Sequence, residues 1–110
     1  MTNIEDFIKL DIRAGKIVDV QLFLEAIKPA YKLKLDFGRE IGMKHSSAQL
    51  TDNYTPQDLQ DKMVLAVINL PPRRIGPFLS EVLVLGVPDE KGNTVLVTPE
   101  SVVVPGARLY

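Results

Sequence analysis

The chain has 110 residues, 45% of them apolar and 25% charged, with a net charge of −1 and no cysteine. That length suits one domain over residues 1–110, which buries roughly two-thirds of the surface its unfolded chain exposes, and the composition excludes a disordered chain. The absent cysteine excludes a disulfide framework, a thiolate nucleophile and a cysteine-based zinc site, and the near-neutral charge argues against a protein that coats nucleic acid indiscriminately.

Thr2 or Asn3 caps an opening helical turn, with Glu5 and Asp6 where the helix dipole favours negative charge and Phe7, Ile8 and Leu10 as its apolar face. Asp11 to Phe23 is a strand, with Val18, Val20 and Leu22 alternating against Asp19 and Gln21, and Gly15 marks a bulge or bend. Tyr31 to Phe37 alternates most cleanly: Tyr31, Leu33, Leu35 and Phe37 point one way, Lys32, Lys34 and Asp36 the other. Gly38 ends it, and a turn through Arg39 and Glu40 leads to a third, unusually polar strand, Ile41 to Leu50.

Thr55-Pro56 starts a short helix through Leu59, with threonine as cap and proline at the first helical position. Met63 to Leu70 is a buried strand that Pro71-Pro72 must end, because proline donates no ladder hydrogen bond. Glu81 to Val87 reads as another buried strand, with Leu83 and Leu85 in the core. Pro88 to Asn93 is a turn, Thr94 to Thr98 a short strand, and Pro99 to Tyr110 an extended tail. Three strands, a short helix and two strands is the order of the five-stranded oligomer-binding (OB) Greek-key barrel. The expected fold is therefore mainly all-β, with N- and C-terminal extensions.

No stretch approaches ~20 consecutive apolar residues, so no membrane insertion is expected. The first residues carry acids and no apolar run of signal-peptide length; with the missing disulfides, this points to a cytoplasmic location.

Four ordered blocks carry a resemblance. They are F-x-K-L-D-I-R-x-G-x-I at Phe7 to Ile17, D-F-G-x-E-I-G-x-K-x-S-S-A-Q at Asp36 to Gln49, Y-x-P-x-x-L at Tyr54 to Leu59, and N-x-P-P-R-R-I-x-x-F-x-S-E-V-L-V-L-G at Asn69 to Gly86. Over nearly its whole length the chain resembles the CsaA family of secretion-related chaperones, within the superfamily of tRNA-binding domains appended to methionyl- and phenylalanyl-tRNA synthetases. The resemblance implies the OB barrel and a homodimer joined through the terminal segments. It also implies a non-catalytic chaperone for unfolded or precursor proteins that meets the export machinery, with tRNA binding as the alternative. The synthetase branch carries Ser-Glu-Gly-Met where this chain has Ser80-Glu81-Val82-Leu83.

The candidate peptide- or RNA-binding residues follow. Arg73 and Arg74, behind a rigid Pro-Pro, offer planar forks of donors to phosphate or carboxylate, or one pairs with a local acid. Ser46, Ser47 and Gln49 give the third strand a neutral polar face, suited to a peptide backbone or a base edge, or simply wet. Lys44, with Lys32 and Lys34, adds positive field or only solvates the face. Ile75 and Phe78 belong to an apolar loop beside the arginines, where Phe78 either meets a ligand or plugs the barrel end. Asn69 and Ser80 complete the set. Phe7, Ile8, Val102, Val103, Val104 and Tyr110 make the terminal segments apolar enough to dock on their own barrel or to form the dimer seam. His45 is the single histidine, too few ligands for a metal site and without a visible catalytic partner, so neither cofactor, metal nor enzymatic activity is expected.

Overall fold

The computed structural model describes residues 1–110. In chain order its elements are α1 (Ile4–Ile8), β1 (Ile12–Leu22), β2 (Tyr31–Asp36), α2 (Gly38–Ile41), β3 (Met43–Ala48), α3 (Pro56–Leu59), β4 (Met63–Val67), β5 (Arg73–Ile75), β6 (Phe78–Ser80), β7 (Leu83–Val84), β8 (Gly86–Pro88) and β9 (Thr94–Leu96). The main sheet has five antiparallel strands in the order β3-β2-β1-β4-β7. With α3 between β3 and β4, this is the OB-type barrel that the element order implies.

The alternation of β2 works as the sequence indicates. Tyr31, Leu33, Leu35 and Phe37 are buried, and with Ile17, Val64, Ala66 and Leu59 they fill the barrel. Fully burying one such aliphatic or aromatic side chain contributes roughly 1.5–3 kcal/mol before entropy is counted. Helix α3 starts as its sequence requires: the Asp58 N–H donates to the Thr55 hydroxyl at 3.2 Å, and the Asp58 carboxylate accepts the Thr55 N–H at 2.8 Å. Asn3 caps α1, accepting from the Asp6 N–H.

Strand β1 has its bulge at another residue than the glycine. Ile17 pairs with Leu35 and Asp19 with Lys34, which leaves Val18 as the extra residue. Gly15 serves close packing instead. A Cβ there would lie 2.6 Å from Phe37 Cε1, so only glycine lets that ring rest on the β1 backbone.

Three further expectations need correction. Residues 41–50 are not one strand: Ile41 ends a helical turn, and β3 begins only at Met43. Residues 73–79 are not a loop but most of a hairpin, β5 and β6, closed by Gly76 and Pro77. Gly76 has φ +59°, the left-handed value that the first central position of a type II′-like reversal needs. Residues 81–87 are not a single buried strand either. Val82 is buried, but Leu83 is 52% exposed, and the run breaks into the short β7 and β8.

The barrel closes where this segment passes β3. The Glu81 N–H donates to the His45 carbonyl at 2.8 Å, and the Ser46 hydroxyl donates to the Val82 carbonyl at 2.9 Å. The tail runs along the first residues of β1: the Ala14 N–H donates to Ala107, Gly106 to Ala14 and Leu109 to Ile12. No helix is long and apolar enough to cross a membrane.

Candidate functional site

The register of β1, β2 and β3 sets out one exposed polar face. Gln21 lies beside Lys32 and Lys32 beside Ser47; Asp19 lies beside Lys34 and Lys34 beside His45. These residues alternate with the core residues because side chains on a strand point to opposite faces in turn. Two lips border the face. One is the loop after β1, residues 23–30. The other is the β5–β6 hairpin, inserted between barrel strands β4 and β7.

Hairpin pairing decides which side chains turn inward. Ile75 pairs with Phe78, Arg74 with Leu79 and Arg73 with Ser80. Phe78 is half-buried on the outside of the barrel and does not plug its end. Its ring meets Phe23 edge-on at 5.3 Å between centroids and His45 at 6.1 Å. Arg73 and Arg74 are both exposed and form no ion pair. Grooves run on both sides of the hairpin. One, of about 220 Å³, is lined by Leu70, Pro71, Arg73, Ser47, Ser80 and Leu83 among others. The second, of about 240 Å³, is lined by Asp19, Gln21, Lys32, Lys34, His45 and Phe78.

Not every residue singled out in the sequence reaches this face. Ser46 is 1% exposed and faces the barrel interior, so it is a seam residue and not part of a wet polar face. Lys44, two residues earlier, shares that inward side and pairs with Leu35 at the barrel end. Ser47 faces outward, its N–H donating to the Ser80 hydroxyl at 3.1 Å, and Gln49 is exposed just past β3. Asn69 clips the start of the chain: its amide accepts from the Asp11 N–H at 2.8 Å and donates to the Lys9 carbonyl at 2.7 Å. His45 is engaged with Glu81, whose carboxylate accepts the His45 backbone N–H at 3.0 Å and lies 3.3 Å from Nδ1.

Sequence reasoning passed over the loop after β1. Leu24, which follows Phe23 in the chain, is 81% exposed, and Ile27 in the same loop is 103% exposed. The available signal was two apolar residues that fit neither flanking strand's period.

The terminal segments lie together at another part of the surface. Arg108 Nη2 donates to the Ile8 carbonyl at 2.9 Å, and Asp11 pairs with both Arg13 and Arg108. The result is an apolar face with Phe7, Ile8, Leu10, Leu109 and Tyr110 around one hollow and Val103 in the adjoining one. Val102 and Val104 are also exposed, and Tyr110 is 106% exposed.

Three carboxylates are held below their ordinary value of 3.8, each by capping a turn. The Thr2 hydroxyl acts on Asp6, the Thr55 backbone and hydroxyl on Asp58, and the Asn53 amide on Asp89.

A family model described as "Putative tRNA binding domain" matches residues 12–108. Among solved structures, the CsaA chaperone protein from Picrophilus torridus is 50% identical, with a TM-score of 0.94 over 100% of both chains. The chaperone CsaA from Bacillus anthracis is 46% identical, with a TM-score of 0.93 over 100% of this chain and 99% of that one. Methionine–tRNA ligase of Archaeoglobus fulgidus is 35% identical over 107 residues, 97% of this chain but 16% of the ligase. That of Thermococcus onnurineus is 38% identical over 105 residues, 96% of this chain and 14% of the ligase. The chain thus spans less than a fifth of the length of these ligases.

Proposed function

Because the chain belongs to the tRNA-binding-domain family, on its CsaA branch, we propose that it is a non-catalytic, homodimeric cytoplasmic chaperone that holds unfolded or precursor polypeptides for export. The observation that carries this reading is the polar floor of β1, β2 and β3 beside a lip with Leu24 and Ile27 exposed. An extended polypeptide needs that mixture. Its backbone hydrogen-bonds to Gln21, Ser47 and Ser80, and its apolar side chains cover the lip. A base-stacking surface needs free aromatic rings. Here Phe23 is buried edge-on against Phe78 and the Lys32 ammonium sits against both rings, so neither presents a flat open face to a base. The apolar terminal face suits the dimer seam.

The tRNA-binding reading remains the second one, favoured by the unpaired Arg73 and Arg74 and by the family's description. The two separate in a side-by-side titration of tRNA and an unfolded precursor polypeptide at two salt concentrations. Apolar clients hold their affinity as salt rises, whereas tRNA binding falls steeply, and Arg73→Ala with Arg74→Ala lowers the log–log salt slope by about two. Leu24→Asp, Ile27→Asp or Phe78→Ala weakens client binding by roughly tenfold or more, the scale of one apolar side chain left in water. Retardation of tRNA with no suppression of client aggregation would establish the second reading and end the first.

A further inference from the structure

Lys32 is held in an arrangement that a lone surface lysine does not need. Its ammonium lies 4.8 Å from the centroid of the Phe23 ring and 5.5 Å from that of Phe78. It is also 3.5 Å from the Glu25 carboxylate. The two rings cross at 66°, so two aromatic surfaces and a carboxylate surround one cation. This is the chemistry that selects an ammonium group from water, through ring quadrupoles and a counter-charge.

We infer that Phe23, Phe78 and Glu25 form a cation-accepting cage which the chain fills with its own Lys32, and that the polypeptide segments taken by the face carry a lysine next to an apolar run. This inference rests on the polypeptide-binding reading and names its substrate class. The apolar part is accommodated by the same loop: Leu24 and Ile27 flank Glu25 and are exposed. The exchange is balanced. A client ammonium makes the contacts that Lys32 gives up, and Lys32 regains rotamer freedom beside a groove lined by Asp19, Gln21 and His45. Partly exposed cation–π contacts and an exposed ion pair are individually weak, so Lys32 acts as a competitor and not as a permanent plug.

The test uses the full chain and two unfolded, leucine-rich peptides that differ at one position, lysine in one and uncharged norleucine in the other. Titration calorimetry compares the parent with Lys32→Ala, Lys32→Gln and Lys32→Arg. Removing the internal competitor raises affinity for the lysine peptide about five- to tenfold relative to the norleucine peptide on the same variant. Lys32→Arg, which keeps a cation in the cage, behaves as the parent. Adding Glu25→Gln to Lys32→Ala cancels the gain. Lys32→Gln keeps most of the side-chain stem and gives the same answer if the alanine variant melts early. Equal binding of both peptides by every variant overturns the cage and leaves the chaperone reading standing. Binding of neither peptide by any variant overturns both.

Discussion

Replacing Ser46 with alanine tests whether this residue closes the barrel or meets a ligand. Its hydroxyl donates to the Val82 carbonyl at 2.9 Å, and no backbone N–H reaches that carbonyl. Ser46 and Val82 are both buried, so water cannot replace the lost donor without opening the seam. Leaving one buried acceptor unpaired costs about 1–3 kcal/mol. Unfolding entropy near 2.1 cal/mol/K per residue makes each kcal/mol worth about 4 °C in a chain of this length. Ser46→Ala should therefore melt roughly 4–13 °C below the parent by calorimetry. Its affinity for an unfolded client, measured well below the transition, stays at the parent value. Ser47→Ala is the control: Ser47 faces outward with its hydroxyl unpaired, so stability moves by less than about 0.5 kcal/mol. A Ser46→Ala protein that melts with the parent but has lost client binding would show that Ser46 faces a ligand, and the seam argument would be wrong.

Gly15→Ala forces a Cβ to 2.6 Å from Phe37 Cε1, and Phe37 is packed in the core. The overpacked variant should lose about 1–3 kcal/mol in urea unfolding, and an unchanged midpoint would mean that the ring moves freely. Asp89 accepts from the Asn53 amide and from the Lys91 and Asn93 N–H groups, which hold its carboxyl below 3.8. Its stabilisation is therefore complete above that value and disappears as pH falls through the lowered one. Asp89→Ala should melt below the parent at neutral pH and converge with it in strong acid; a gap that persists there would assign the effect to something other than charge. Tyr110→Asp or Ile8→Asp, on the exposed terminal face, should convert the proposed dimer to a folded monomer in sedimentation equilibrium. A dimer that survives both places the seam elsewhere.

The stretches that the sequence made legible are those where one local signal has one meaning. Tyr31 to Phe37 alternates strictly, and one face of β2 is buried as a result. Thr55-Pro56 and Asp58 form their capping box within four residues, so no distant partner is required. The bulge and the fate of residues 81–87 were not legible, because apolar residues there occur on both sides of the chain. Val82 and Leu83 are chemically alike, and only the passage of this segment across β3 buries the first and exposes the second.

The sequence alone therefore indicated the strands β1 to β4 with the short helices α1 and α3, the inner face of β2 and the rigid basic segment Pro71 to Leu79 as a candidate site. Each depends on neighbours a few residues apart. Tertiary structure decided which serine of the Ser46–Ser47 pair is available, since period-2 alternation separates two faces without saying which one the barrel will enclose. It also decided the site's composition. Phe23, Lys32 and Phe78 are up to 55 positions apart, and only the docking of the hairpin's β6 against β3 brings the Phe78 ring to Phe23 and the Lys32 ammonium.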